Sequence, residues 1–133
     1  MSSSCNLRMR EGGGCDEAHA YVTGADRGLG LSLVKVLLEK NYKVYAGSYL
    51  TEWKELQDLR NMYPEDLVIL SLDVTDDESV AAAAKKIASD TDSLNLLINN
   101  AGIAKDRSGN ILEPQYFDDA LAIYNTNSLG PLR

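Results

Sequence analysis

From residue 18 onward, short apolar bursts alternate with segments of helical period, and this alternation restricts the fold more than any other feature of the chain. Residues 19–22 (HAYV) are the first burst. Residues 28–41 then place Leu31, Leu33, Val34, Leu37 and Leu38 at the spacing of one apolar helix face. A brief β-rich stretch follows at 43–48 (KVYAGS), and a helical pattern at 52–61 ends before Pro64. Residues 67–72 (LVILSL) are almost all apolar, the pattern of a strand covered on both faces. Thr75, with Glu78 three residues on, reads as a capping box opening a helix through AAAAKKIA at 81–88. Residues 94–98 (LNLLI) are a fourth strand; a polar loop at 103–114 leads to a helix at 116–124, and another helix begins near Asn127. Strands separated by helices imply an α/β fold, a doubly wound parallel sheet with helices on both faces. Ligands of such sheets lie beyond the carboxyl ends of the strands, where strand order reverses, so the residues just after each strand carry the chemistry.

Composition removes several alternatives. The 133 residues suffice for one domain, expected over 18–133, behind a polar leader at 1–17. A formal net charge of -7 argues against nucleic acid, which calls for a basic face. No run approaches the roughly 18 apolar residues of a membrane span, and the leader MSSSCNLRMREGGGCDE has no apolar core of a secretory signal. Cytoplasm is therefore the expected compartment. Cys5 and Cys15 lie in the leader and read as free thiols; no metal site is expected. The single histidine, His19, reads as an ordinary residue at a strand entrance.

Three of the four strand ends carry distinctive residues. TGADRGLG, at 23–30, follows the first. There Gly24 permits a tight turn, Gly28 lets backbone approach a pyrophosphate, Gly30 lets helix and sheet pack closely, and the helix N-terminus offers unpaired N–H groups to an anion. The spacing GxxxGxG differs from the GxGxxG fingerprint, and a glycine-rich turn without a ligand is the plainer alternative. Asp73 and Val74 follow the third strand; the aspartate suits an adenine amino group, or is simply a loop residue beside the Thr75 cap. After the fourth strand, Asn99, Asn100, Ala101 and Gly102 suit a ligand lying against backbone, or an ordinary turn.

The order TGxxxGxG, Asp-Val, NNAG, then Asn127 with Gly130 three residues later resembles the classical short-chain dehydrogenase/reductase family. LNLLINNAGIA and NTNSLGPLR are most similar to its sniffer or C-factor type of carbonyl reductase. The resemblance implies a Rossmann-type domain and NAD(P)-dependent oxidoreduction of a small carbonyl or alcohol. It would place Gly24, Arg27, Gly28, Leu29 and Gly30 at the cofactor phosphates and ribose, and Asp73 and Val74 at the adenine. Asn100, Ala101 and Gly102 would lie along the adenosine ribose, while Asn99 would brace the sheet. Asn127 matches the catalytic asparagine that helps hold a water in a proton relay to the catalytic lysine; a polar helix residue without a catalytic partner is the alternative.

Residues 46–49 (AGSY), at the end of the second strand, contain no carboxylate for a ribose 2′-hydroxyl, and Arg27 offers a positive charge, so NADP is expected over NAD. Tyr49 stands where many NADP-using relatives have a second arginine, which weakens that preference. The family's tyrosine passes a proton to the carbonyl, with a lysine four residues later and a nearby serine to polarise the substrate. None of the seven tyrosines has a lysine four residues on. The expectation is the N-terminal part of a Rossmann domain, lacking the serine and YxxxK and inactive as these 133 residues. The alternative is a non-catalytic dinucleotide-binding or interaction module. A carbonyl substrate and a homo-oligomer are expected only of a full-length form, and an open edge on the fourth strand would leave the short chain marginally stable.

Overall fold

The computed structural model describes residues 17–104 and 117–133. The leader up to residue 16 with Cys5 and Cys15, most of the polar loop, and Tyr116 at the expected start of the fourth helix lie outside the described residues. The chain runs β1 (Ala18–Thr23), α1 (Gly28–Glu39), β2 (Tyr42–Ser48), α2 (Lys54–Met62), β3 (Leu67–Ser71), α3 (Asp77–Asp90), β4 (Leu96–Ile98) and α4 (Phe117–Tyr124). The strands form a parallel sheet in the order β3-β2-β1-β4. Ala18 lies opposite Tyr42, Ala20 opposite Leu96 and Val44 opposite Leu67.

Strand alternation sorts the core into two layers. Ala20, Val22, Val44, Ala46 and Leu67 point to one face, where Leu31, Val34, Leu37 and Leu38 of α1 and Leu56 and Leu59 of α2 cover them. Tyr45 and Leu70 point to the other, where Ala83 and Ile87 of α3 meet them with Leu72, and Tyr21 and Val68 pack alongside. Helices on both faces of a parallel sheet make this the Rossmann-type doubly wound α/β fold. The order reverses between β1 and β4, so the switch point lies at Thr23 and Ile98.

Several elements depart from the sequence expectation. Residues 67–71 form β3 with core contact on both faces, Leu67 in one layer and Leu70 in the other, but the strand is a sheet edge and only those two of its residues are buried. Its apolar run reflects contact with both helical layers at the rim of the sheet. The cap of α3 is Asp76, not Thr75; the Asp76 carboxylate accepts the Glu78 N–H at 3.0 Å. Thr75 is spoken for, because its N–H and hydroxyl both donate to Asp73 Oδ1, at 2.9 and 2.6 Å. Strand β4 starts at Leu96, two residues later than the apolar pattern suggests, since Asn95 uses its side-chain Oδ1 to accept the His19 N–H at 2.8 Å. Its outer edge is unpaired among the described residues, and Leu97 is 53% exposed. No helix begins at Asn127. Helix α4 continues into a π-helical turn, Asn125–Leu129, and a 3-10 turn, Gly130–Leu132, with the Gly130 N–H bonded to the Asn125 carbonyl. None of the helices among the described residues is long and apolar enough to cross a membrane.

Candidate functional site

At the carboxyl ends of the strands lies a cleft of ≈ 530 Å³. The turn after β1, the ends of β2 and β3, the turn after β4 and the π-helical turn all reach it. The glycine turn sets its floor. Gly24 has φ +63, and a Cβ there would stand 2.7 Å from Ala101 Cα. A Cβ on Gly30 would stand 2.0 Å from the Gly24 carbonyl oxygen, so α1 and the turn touch through bare backbone. Gly28 differs: its φ is +58, yet a Cβ there would meet nothing within 4 Å. Backbone is thus exposed to the cleft at the first residue of α1. No side chain caps α1 at Arg27 and no acidic residue sits in its first turn, leaving the positive helix end to face the cleft.

The turn after β4 is bonded onto this floor. The Thr23 hydroxyl accepts the N–H groups of Asn100 and Ala101, both at 3.0 Å, and the Asn100 side-chain amide donates to the Gly24 carbonyl at 3.0 Å. It is therefore Asn100, and not Asn99, that braces the switch point; Asn99 is exposed, with no side-chain hydrogen bond among the described residues. Of the residues singled out in the sequence, Gly24, Arg27, Gly28, Asp73, Val74, Asn100, Ala101 and Gly102 line the cleft. Gly30 lies beneath it, and Leu29, 69% exposed, stands outside its wall. The Asp73 N–H is held by Ser79 Oγ at 2.9 Å, while its Oδ1 takes both Thr75 donors.

Asn127 does not line the cleft; its neighbour Thr126 does. The Asn127 side chain instead clamps Ile103, accepting its N–H and donating to its carbonyl, each at 2.8 Å. This fastens the π-helical turn to the segment leaving β4. Arg133 fastens the same region at its far end, through Asp77 at 2.6 Å and Asn125 Oδ1 at 2.7 Å. Gly130 allows that docking, because a Cβ there would meet Val74 Cγ2 at 2.9 Å.

Sequence reasoning passed over two contributors. Thr23 is the hydroxyl hub of the switch point, and its only signal was a polar residue closing an apolar strand. Asp26 is a carboxylate in the cleft wall, 8% exposed, beside Arg27. Its signal was an acid between two glycines in a turn expected to meet phosphate.

Comparison with known proteins agrees with this arrangement. The family model for short chain dehydrogenase matches residues 18–133. The 3-oxoacyl-[acyl-carrier-protein] reductase FabG of Staphylococcus aureus is 34% identical over 114 residues, covering 84% of this chain and 45% of the relative. Among solved structures, the NADPH-bound carbonyl reductase from chicken fatty liver superposes with a TM-score of 0.74 at 36% identity, over 87% of this chain and 45% of that one. Sniffer of Caenorhabditis elegans superposes with a TM-score of 0.72 at 29% identity, over 87% and 49%. The chain spans less than half the length of each of these proteins. With the family model matched over residues 18–133 and a doubly wound parallel sheet beneath it, the chain belongs to the short-chain dehydrogenase family.

Proposed function

We propose that the cleft holds the adenosine and pyrophosphate portion of a nicotinamide dinucleotide, NADP in preference to NAD. The observation that carries this is the open space over Gly28 at an uncapped helix N-terminus. A pyrophosphate there gains backbone N–H donors and the helix dipole without displacing any side chain. The residues present thus fit the group. In this reading Gly24, Arg27, Gly28, Leu29 and Gly30 form or flank the phosphate cradle. Asp73 and Val74 meet the adenine, and Asn100, Ala101 and Gly102 run along the ribose. The bound cofactor would supply hydride chemistry, as in oxidoreductases of the family, on a small carbonyl substrate in a full-length protein.

The preference for NADP is supported by the Arg27 guanidinium, which has no carboxylate partner among the described residues, and by Ser48 and Tyr49 where an NAD site places an acid. The NADPH-bound state of the chicken carbonyl reductase agrees with it. One observation favours NAD as the second reading: the Asp26 carboxylate in the cleft wall would accept ribose hydroxyls and repel a 2′-phosphate. Asn127 is the family's catalytic asparagine by position, and its clamp on Ile103 supports a role in holding backbone around the reaction site. With no YxxxK in its 133 residues, the chain alone binds cofactor without turnover. That leaves a non-catalytic dinucleotide-binding module as the alternative role. A cytoplasmic location and a homo-oligomeric full-length form belong to the same reading.

Calorimetric titration of the full chain with NADPH and NADH, beside an NADPH-oxidation assay on a carbonyl substrate, tests this. We expect binding, tighter for NADPH, and no oxidation. Absence of binding by either cofactor sinks the cleft assignment; turnover sinks the claim of a silent chain.

A further inference from the structure

The Arg27 guanidinium lies over the indole of Trp53, with Cζ 5.5 Å from the ring centroid. This is within the range of a cation–π contact. The two side chains differ in how firmly they are held. Trp53 is half-buried against the main core and occupies the N-cap of α2. Its N–H donates to the Leu50 carbonyl at 3.3 Å, its carbonyl accepts the Gln57 N–H at 3.1 Å, and Gln57 Nε2 bonds the Thr51 carbonyl at 2.6 Å. The indole is thus part of a loop tied down at several points. Arg27 is exposed, and among the described residues no oxygen accepts from its guanidinium. Its Cζ sits over the ring, and Arg27 lines the cleft, as Tyr49 does.

Resting on the NADP reading and deepening it, we infer that Trp53 is a positioning residue for specificity: its ring holds Arg27 in the orientation that receives the cofactor's 2′-phosphate. The need follows from the site's composition. Tyr49, at the tip of β2 and 71% exposed, supplies a hydroxyl and no charge, so one guanidinium carries the recognition. A guanidinium already stacked loses less rotamer freedom when it pairs with a phosphate than one free in solvent. Trp53 itself does not line the cleft. Its effect is therefore confined to the charge it orients, and cofactor lacking the 2′-phosphate is indifferent to it.

Trp53 is the sole tryptophan, so the stack can be read directly. In the cofactor-free 133-residue chain, Arg27→Ala should change Trp53 emission; unchanged emission removes the stack and the inference with it. Affinities for NADP and NAD are then measured by calorimetry for the unaltered chain, Trp53→Leu and Trp53→Phe. We expect Trp53→Leu to shrink the NADP-to-NAD affinity ratio about two- to fivefold, the worth of an exposed cation–π contact. NAD affinity should be unchanged, and Trp53→Phe, which keeps a ring, should retain most of the ratio. A preference for NADP that survives Trp53→Leu overturns the positioning role alone. An equal loss of both cofactors in Trp53→Leu assigns the ring to folding and also overturns it. Equal affinities in the unaltered chain overturn the NADP reading, and the positioning role falls with it.

Discussion

Gly30 and Gly28 sit two residues apart in the same turn, yet they meet opposite surroundings. At Gly30 a Cβ would overlap the Gly24 carbonyl oxygen at 2.0 Å and Asn100 Nδ2 at 2.6 Å. The oxygen is backbone and already accepts the Asn100 amide, so it yields only if α1 lifts from the sheet. We expect Gly30→Ala to cost about 3 kcal/mol in urea denaturation, the upper range for overpacking. A loss below about 1 kcal/mol would mean the helix shifts freely. Gly28→Ala faces only the left-handed φ of +58 and open space. It should cost about 1 kcal/mol of stability, while its methyl group fills the proposed phosphate position and abolishes NADP binding in calorimetry. The spacing of the glycines made this division legible in the sequence. The Thr23 hydroxyl was not legible in that way, because it works by accepting N–H groups 77 and 78 residues further along the chain. Nothing local distinguishes such a threonine from any other at the end of a strand.

Elements were legible where period and burial agree. Strands β1 and β2 and helix α1 fall within two residues of the bounds read from apolar spacing, because each buries one clear face. The misread boundaries have local chemical causes: Asp76 and Thr75 are both competent caps, and Asn95 accepts the His19 N–H with its side-chain oxygen while its own N–H donates to the His19 carbonyl. The π-helical turn is harder still, since its five residues make about one turn, too short for apolar spacing to reveal a change of pitch. Such turns occur often at functional sites. Here the turn carries Asn127, whose paired hydrogen bonds to Ile103 are what tie α4 to the end of β4. Asn127→Ala removes both bonds at once. The expected cost is about 1 kcal/mol in this exposed setting, seen as roughly fivefold faster hydrogen exchange at the Ile103 amide. Asn127→Asp keeps the acceptor and should protect that amide; an unchanged rate in Asn127→Ala would show that the amide is held by something other than the clamp.

Across the whole molecule, the two layers are unequal, and the thinner one governs behaviour at alkaline pH. The α1/α2 layer is aliphatic at its centre, whereas the smaller α3 layer sets Tyr45 and Tyr21 among Leu70, Leu72, Ala83 and Ile87. Gly47 makes room there for the Tyr21 ring, since a Cβ would approach Tyr21 Cε2 at 3.1 Å. Burial pushes the Tyr21 phenol from its ordinary 10.0 up to about 12. Tyr45 moves the same way, through burial first and then the negative charges of Asp90 and Glu17. The folded state therefore favours the neutral phenol. That stabilisation is complete below about pH 10, where the unfolded chain also holds its proton, and drains away as pH rises toward about 12. For Tyr21 it amounts to about 3 kcal/mol at most, reduced by the partial contact of the phenol with water. The urea midpoint should accordingly hold steady up to about pH 9 and fall steeply by about pH 11.5. Lysines deprotonate in the same interval, so the diagnostic comparison is Tyr21→Phe, which cannot ionise. Its midpoint should fall less over that interval than that of the unaltered chain. Identical curves for the two proteins would place the Tyr21 hydroxyl in water and assign the alkaline loss to Tyr45 and the lysines.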